Sequence, residues 1–340
     1  MNGAGLKRAI RRGLGYMAPA TWRLRPKNSL VILTYHRVLP KDHPARLIEQ
    51  PGMYVSPETL AMHLAVLKKH FDLVDLLDWI DRRRTGQTLP DRACAITFDD
   101  GWRDNYVHAY PVLCHAGVPA TIFLVSDFIG THYSYWPNRL ARLLRMLDHS
   151  IRTQLPSQLY EALRRSGFSA DIAGECATVE QIDRAIDACK SLPDSTMLDL
   201  IEGVEARMPQ PAPVPVRELL DLREIEEMRA SGLINYGSHT RRHTRLLDGL
   251  DSALLDDEVR GSRDVLSRLL NQDVCLFCYP NGDRSQAAID AVRQTYRGAV
   301  TTSTGWNGPK ADPLVLRRQP VHEYISVSEA SFLSRVSGLL

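Results

Sequence analysis

Two acidic residues side by side, Asp99 and Asp100, close the apolar run 93–98. Two histidines, His239 and His243, sit four apart after another apolar run far downstream. Carboxylate oxygens and imidazole nitrogens are ligands that a divalent ion such as zinc accepts. Three of these four side chains could hold such an ion, and the fourth is left as a base, which is the kit for metal-assisted hydrolysis. Neighbours on an extended chain point to opposite sides, so one carboxylate can bind a metal while the other stands beside it. Gly101 permits the sharp turn that follows. An Asp-Asp-Gly after a strand also serves as a helix cap or turn. The histidines favour the metal: on a helical turn an i, i+4 pair brings both rings to one ion. With a strand-end aspartate they form a His2Asp set that leaves positions open for water and substrate.

These residues need a frame. Short β-rich runs at 30–35, 72–75, 93–98, 120–125, 233–237, 274–279, 299–302 and 314–318 alternate with amphipathic stretches. The alternation predicts parallel strands in an α/β barrel or doubly wound sheet. His36, Asp99, Asp100, His239 and Tyr279 fall at the C-terminal ends of such runs, where α/β barrels carry their catalytic residues. The rhythm breaks at about 136–217, where helix-like stretches at 138–150, 157–166, 179–191 and 195–208 lead into a Pro-rich connector. This is expected to be a helical insertion forming a lid or a wall of the cleft. The expected organisation is a basic N-terminal segment, 1–28, followed by one domain, 29–340.

The chain has 340 residues, 44% hydrophobic and 24% charged, within the range of soluble globular proteins. A net charge of +2 gives no general attraction to nucleic acid. No stretch approaches the roughly 20 apolar residues that span a bilayer. Lys7, Arg8, Arg11 and Arg12 are followed by no apolar core, so no secretory signal is predicted. Leu6, Ile10, Leu14 and Met17 recur at helical spacing beside them. They fit an amphipathic helix, lying either on an anionic membrane surface or on its own domain. Cys275 and Cys278 have CxxC spacing without a partner motif, and residues three apart on a strand face opposite sides. Both read as small core residues. The location expected is cytoplasmic, with a peripheral contact at the inner membrane face.

Thr97-Phe98-Asp99-Asp100-Gly101 and Ser238-His239-Thr240-Arg241-Arg242-His243 resemble the first two motifs of the polysaccharide deacetylases with a NodB-homology domain, carbohydrate esterase family 4. Phe277-Cys278-Tyr279-Pro280-Asn281-Gly282 resembles the third. The resemblance runs from about Leu30 to about Val321 and implies a distorted (β/α)7 barrel that removes acetyl groups from an N-acetylated sugar. It implies Asp100, His239 and His243 as ligands of a divalent metal, zinc by default, with Asp99 as base and the Tyr279 backbone N–H in the oxyanion hole.

Two features depart from the usual pattern. The C-terminal run Val315-Leu316-Arg317-Arg318-Gln319-Pro320-Val321-His322 lacks the expected Leu-x-His acid, and no arginine precedes the third motif. Both departures resemble the branch containing poly-N-acetylglucosamine deacetylases, where the acid comes from an N-terminal Tyr-His. Tyr35-His36 matches, which makes His36 the expected acid and His322 its alternative. Pro280, Trp306 and Arg103 are the candidate substrate contacts, with Trp136 as a second stacking aromatic. The partner expected is an N-acetylhexosamine-containing carbohydrate. A non-sugar amidohydrolase and a non-catalytic sugar-binding homologue are the competing classes.

Overall fold

The structure, a computed structural model, describes Trp22 and residues 25–146, 155–167, 177–208 and 216–338. The N-terminal stretch expected to form an amphipathic helix lies outside these residues, as does the Pro-rich connector. The chain divides into two compact units: one takes in the chain up to Pro40, Tyr54–Thr131 and everything from Leu219, the other Lys41–Met53 and His132–Glu218.

Among the described residues the first unit carries ten strands: β1 Ser29–Tyr35, β2 Arg37–Val38, β3 Tyr54–Val55, β4 Asp72–Leu73, β5 Arg92–Phe98, β6 Ala120–Leu124, β7 Ile234–Ser238, β8 Leu276–Cys278, β9 Gly298–Val300 and β10 Gln319–Pro320. The main sheet runs β10-β1-β5-β6-β7-β8-β9, with β4 beside β5, and β2 pairs with β3 separately. Every strand pair is parallel. The last segment corrects one expectation. Residues 314–318 are not a strand; only Leu316 bridges Val300 of β9, and three residues on Gln319 pairs with Leu33 of β1. A few residues thus touch both ends of the sheet and curl it toward closure, crossing the gap rather than running along one edge.

Alternation along the strands sorts side chains into two cores. Val31, Leu33, Cys94, Ile96, Phe98, Ile234, Tyr236 and Tyr279 pack with the surrounding helices. Leu30, Ile32, Ala93, Ala95, Phe123, Leu276, Cys278, Val300 and Leu316 form a second cluster on the concave side, closed by Leu76, Trp79 and Ile80 of the helix Leu76–Arg84. Continuing the period of two puts Thr34 and His36, Thr97 and Asp99, Gly237 and His239, and Arg318 on the concave side, at the C-terminal rim. Gly237 is required there: a Cβ would lie 2.4 Å from the Phe123 ring.

In the second unit the helices Trp136–Met146, Ser157–Arg165, Val179–Cys189 and Asp194–Glu205 bury a core of their own, including Leu140, Leu144, Leu159, Ile182 and Ile201. Trp136 belongs to that core and donates its indole N–H to Asp194 at 3.0 Å, so it offers no stacking face. Residues 41–53 join this unit through Glu49, which accepts from Asn138, and Gln50, which donates to Asp183. Among the described residues no helix is long and apolar enough to cross a membrane.

Candidate active site

Asp99 extends β5 by one residue; its N–H donates to the Tyr35 carbonyl at 3.0 Å. Its carboxylate meets Arg318 end-on, with Nη1 to Oδ1 and Nη2 to Oδ2 both at 2.7 Å. Arg318 is fixed in turn: its Nε donates to the Thr301 carbonyl at 2.9 Å, and Nη2 lies 3.2 Å from Cys278 Sγ. Both partners are buried. Burial alone raises the Asp99 pKa, but the Arg318 charge and its two hydrogen bonds outweigh it, with smaller help from His239 and His36, and hold the carboxyl below its ordinary value.

Asp100 leaves the strand. Its φ of +72° and the +69° of Gly101 form a left-handed corner, and this corner, rather than strand alternation, separates the two carboxylates. Asp100 Oδ2 accepts from the Trp102 indole at 3.0 Å. Oδ1 lies 3.4 Å from His239 Nε2 and 3.5 Å from His243 Nε2. The histidine pair also corrects the sequence expectation, because residues 240–242 form a turn and not a helix, with Thr240 at φ +64° and His243 at φ +60°. His239 Nδ1 sits 2.8 Å from the Cys278 carbonyl. A carbonyl only accepts, so this nitrogen carries a proton, and Nε2 is the nitrogen that faces Asp100 and would ligate a metal. Burial, reinforced by His239, pushes His243 down to about 4, leaving a neutral ring near pH 7.

Asp100, His239 and His243 bring one donor atom each to within 4.8 Å of one another. Two donors about 2.0–2.1 Å from one tetrahedral ion lie roughly 3.3 Å apart. The spacings of 3.4 and 3.5 Å fit that figure, and the N2O donor set suits zinc or a neighbouring transition metal.

His36 crowns β1, with Nε2 3.8 Å from Asp99 Oδ2 and its side chain 27% exposed. The segment after Asp-Asp-Gly clamps this strand end. Asn105 donates to the His36 carbonyl at 2.8 Å, and Asp104 accepts from Arg37 Nε at 2.8 Å and from the Val38 N–H at 2.7 Å. The Arg37 guanidinium lies 4.0 Å over the Trp102 ring. His322 sits at the N-cap position of the helix Glu323–Ser326 without a side-chain cap bond, and burial, with Arg335 and His36, pushes it down to about 4.

A profile described as polysaccharide deacetylase matches residues 86–170 and 212–297, half of the chain. The chain belongs to the polysaccharide deacetylase family. A poly-beta-1,6-N-acetyl-D-glucosamine N-deacetylase of Staphylococcus epidermidis is 31% identical over 137 residues, 38% of this chain and 46% of that protein. The enzyme of that name from Escherichia coli K12 is 29% identical over 107 residues, 31% of this chain and 15% of that protein. The matched region thus spans under half the length of these relatives. Among solved structures, IcaB from Ammonifex degensii superposes with a TM-score of 0.58 at 20% identity, covering 91% of this chain and 98% of that one. A Streptococcus pyogenes deacetylase, PplD, solved with acetate, gives 0.56 at 17% identity with the same coverage. The fold is the curled, mostly parallel β/α barrel of these solved structures.

Within this deacetylase frame three expectations change, those for Tyr279, Pro280 and Trp306. The Tyr279 N–H donates to the Val300 carbonyl at 3.2 Å as β8 continues alongside β9, so it is not available as an oxyanion donor. The Tyr279 ring faces the outer core, with its hydroxyl on the Leu314 carbonyl. Pro280 is buried at the start of the turn Pro280–Gly282 and presents no surface to a sugar. Arg103 donates to Glu224 at 2.7 Å beside the helix Leu222–Ala230 and keeps 41% of its side chain exposed. Trp306 is a core residue: its indole donates to the Val336 carbonyl at 2.8 Å and its ring lies 5.7 Å from that of Phe71. Trp306→Ala is therefore expected to cost about 3–5 kcal/mol of stability while leaving KM unchanged, a contrast that urea melts and steady-state kinetics resolve.

Sequence reasoning missed Arg318 and Cys278. The resemblance places an arginine only before the third motif. One signal lay in the spacing: Arg318 follows the inward-facing Leu316 by two, so an extended backbone there carries both to the same side.

Proposed function

We propose that this chain is a metal-dependent hydrolase that removes N-acetyl groups from a polysaccharide containing N-acetylglucosamine. The observation that carries this is the adjacency of two distinct assemblies, the Asp99–Arg318 pair and the three donors of Asp100, His239 and His243. Asp100, His239 and His243 would hold a divalent ion, which would supply Lewis acidity toward the acetyl carbonyl and lower the pKa of a water to about 7.

The chain's own groups divide the proton transfers. Asp99, ionised by its pairing with Arg318, takes the proton from the attacking water. Arg318 orients both carboxylate oxygens and prevents Asp99 from swinging onto the metal donors. His36, on the partly exposed rim of the same concave face, gives its proton to the departing sugar amine. His322, pushed down to about 4, is neutral at the pH where such a donor must be charged, which favours His36 as the acid.

The test is acetate release from β-1,6- and β-1,4-linked N-acetylglucosamine oligomers by zinc-loaded protein, with ammonia release from simple amides followed in parallel. Acetate without ammonia is expected. His36→Ala should lower kcat about 10²–10⁴-fold, and His322→Ala should leave it within a few-fold. The reverse order of effects would reassign the acid, and ammonia in place of acetate would remove the sugar deacetylase reading.

A further inference from the structure

The loop joining the two histidines makes unusual demands. Thr240 and His243 both hold positive φ, a conformation that costs non-glycine residues energy and persists only where the surroundings over-determine it. Glu258 supplies that determination. The N–H groups of Arg241 and Arg242 both donate to Glu258 Oε2, at 2.8 and 3.0 Å, and Arg242 Nε stands 3.2 Å from Oε1. Glu258 is fully buried. It projects from one π-helical turn, Asp257–Gly261, set between the helices Ser252–Asp256 and Ser262–Leu270. Such π-turns re-aim side chains and frequently mark functional sites. Here the turn aims two successive acids at the same loop, since Asp257 accepts from Arg241 Nη1 and Arg242 Nη2, both at 2.6 Å. Gly261 allows the close approach; a Cβ there would lie 2.8 Å from Asp257 Oδ1 and 3.4 Å from Arg241 Cδ. Asp127 holds the far side, accepting from Arg241 Nε at 3.0 Å and Arg242 Nη1 at 3.2 Å.

A wholly buried carboxylate is an expensive way to fill space. Its two hydrogen bonds go to the amides midway between His239 and His243. We infer that Glu258 is a positioning residue of the metal centre, fixing the separation and aim of the two imidazoles through the backbone between them. The inference rests on Asp100, His239 and His243 being a metal site.

The test uses the full chain stripped of metal, in native form and as Glu258→Ala and Glu258→Gln. Zinc affinity is read by competition with a chromogenic chelator, coordination by the visible absorption of the cobalt-loaded protein, and folding by the melting temperature without metal. Glu258→Ala is expected to weaken zinc binding about 10–100-fold and to alter the cobalt spectrum. Glu258→Gln, which keeps an acceptor oxygen for the amides, should lose less. Native zinc affinity and an unchanged cobalt spectrum in Glu258→Ala would overturn the inference, whatever happens to the melting temperature. Should Glu258→Ala not fold, Glu258→Gln decides: several-fold weaker zinc binding supports the role and native affinity refutes it. A native chain that bound neither ion would overturn the inference together with the metal-site reading, an outcome distinct from the first because there the native chain binds.

Discussion

Asp99→Asn is expected to bind zinc as the native chain does and to lose hydrolysis by about 10²–10⁴-fold, the usual contribution of a general base. The separation follows from the corner at Asp100: positive φ turns the Asp100 carboxylate to the two histidines, while Asp99 stays on the strand and meets Arg318. Asparagine has nearly the shape of aspartate and keeps one oxygen for Arg318, but it cannot take a proton from water. Zinc content measured on the same sample as the rate distinguishes a lost base from a lost metal. If Asp99→Asn lost the ion in proportion to the rate, the roles of the two carboxylates would have to be redrawn.

Arg318→Met should be the most damaging single change in the site. It removes the only cation that the described residues place end-on against Asp99, and leaves a buried carboxylate beside a shorter, uncharged side chain. Breaking a buried pair in this way typically costs about 3–5 kcal/mol. The pH dependence has a definite sign. In the native chain Asp99 has a pKa below its ordinary value, so its pairing contributes stability above the ordinary carboxylate range, and that contribution is lost as pH falls through the lowered pKa. Without Arg318 the burial term dominates and the pKa rises. The variant should therefore gain relative stability as pH falls, and the acidic limb of its pH–rate profile should move to higher pH. Urea melts at several pH values and a kcat/KM profile measure both. A variant with native stability and an unmoved acidic limb would show that Arg318 does not control Asp99.

Much of this site is written in local pattern. The period of two that places Leu30 and Ile32 on the concave face also carries His36 there, and the same count from Ala93 and Ala95 reaches Asp99. Gly101 announces the corner. What is not legible depends on contacts distant in the chain. The histidine loop looks helical by spacing, but Glu258 holds it in a non-helical turn from a π-turn with no sequence mark. The last strand is two residues long, so Arg318 is placed by a crossing between sheet ends and not by a run of apolar residues. Trp306 looks like a loop aromatic until Val336 and Phe71 close around it.

The central claim is that one ion at Asp100, His239 and His243 works with Asp99 and His36 to release acetate. The most direct measurement adds zinc stepwise to metal-stripped protein and follows acetate release from N-acetylglucosamine oligomers at each step. Activity should be absent at the start, rise linearly and level off at one ion per chain, with His239→Ala flat throughout. Full acetate release from the stripped protein, or a rise that persisted in His239→Ala, would contradict it.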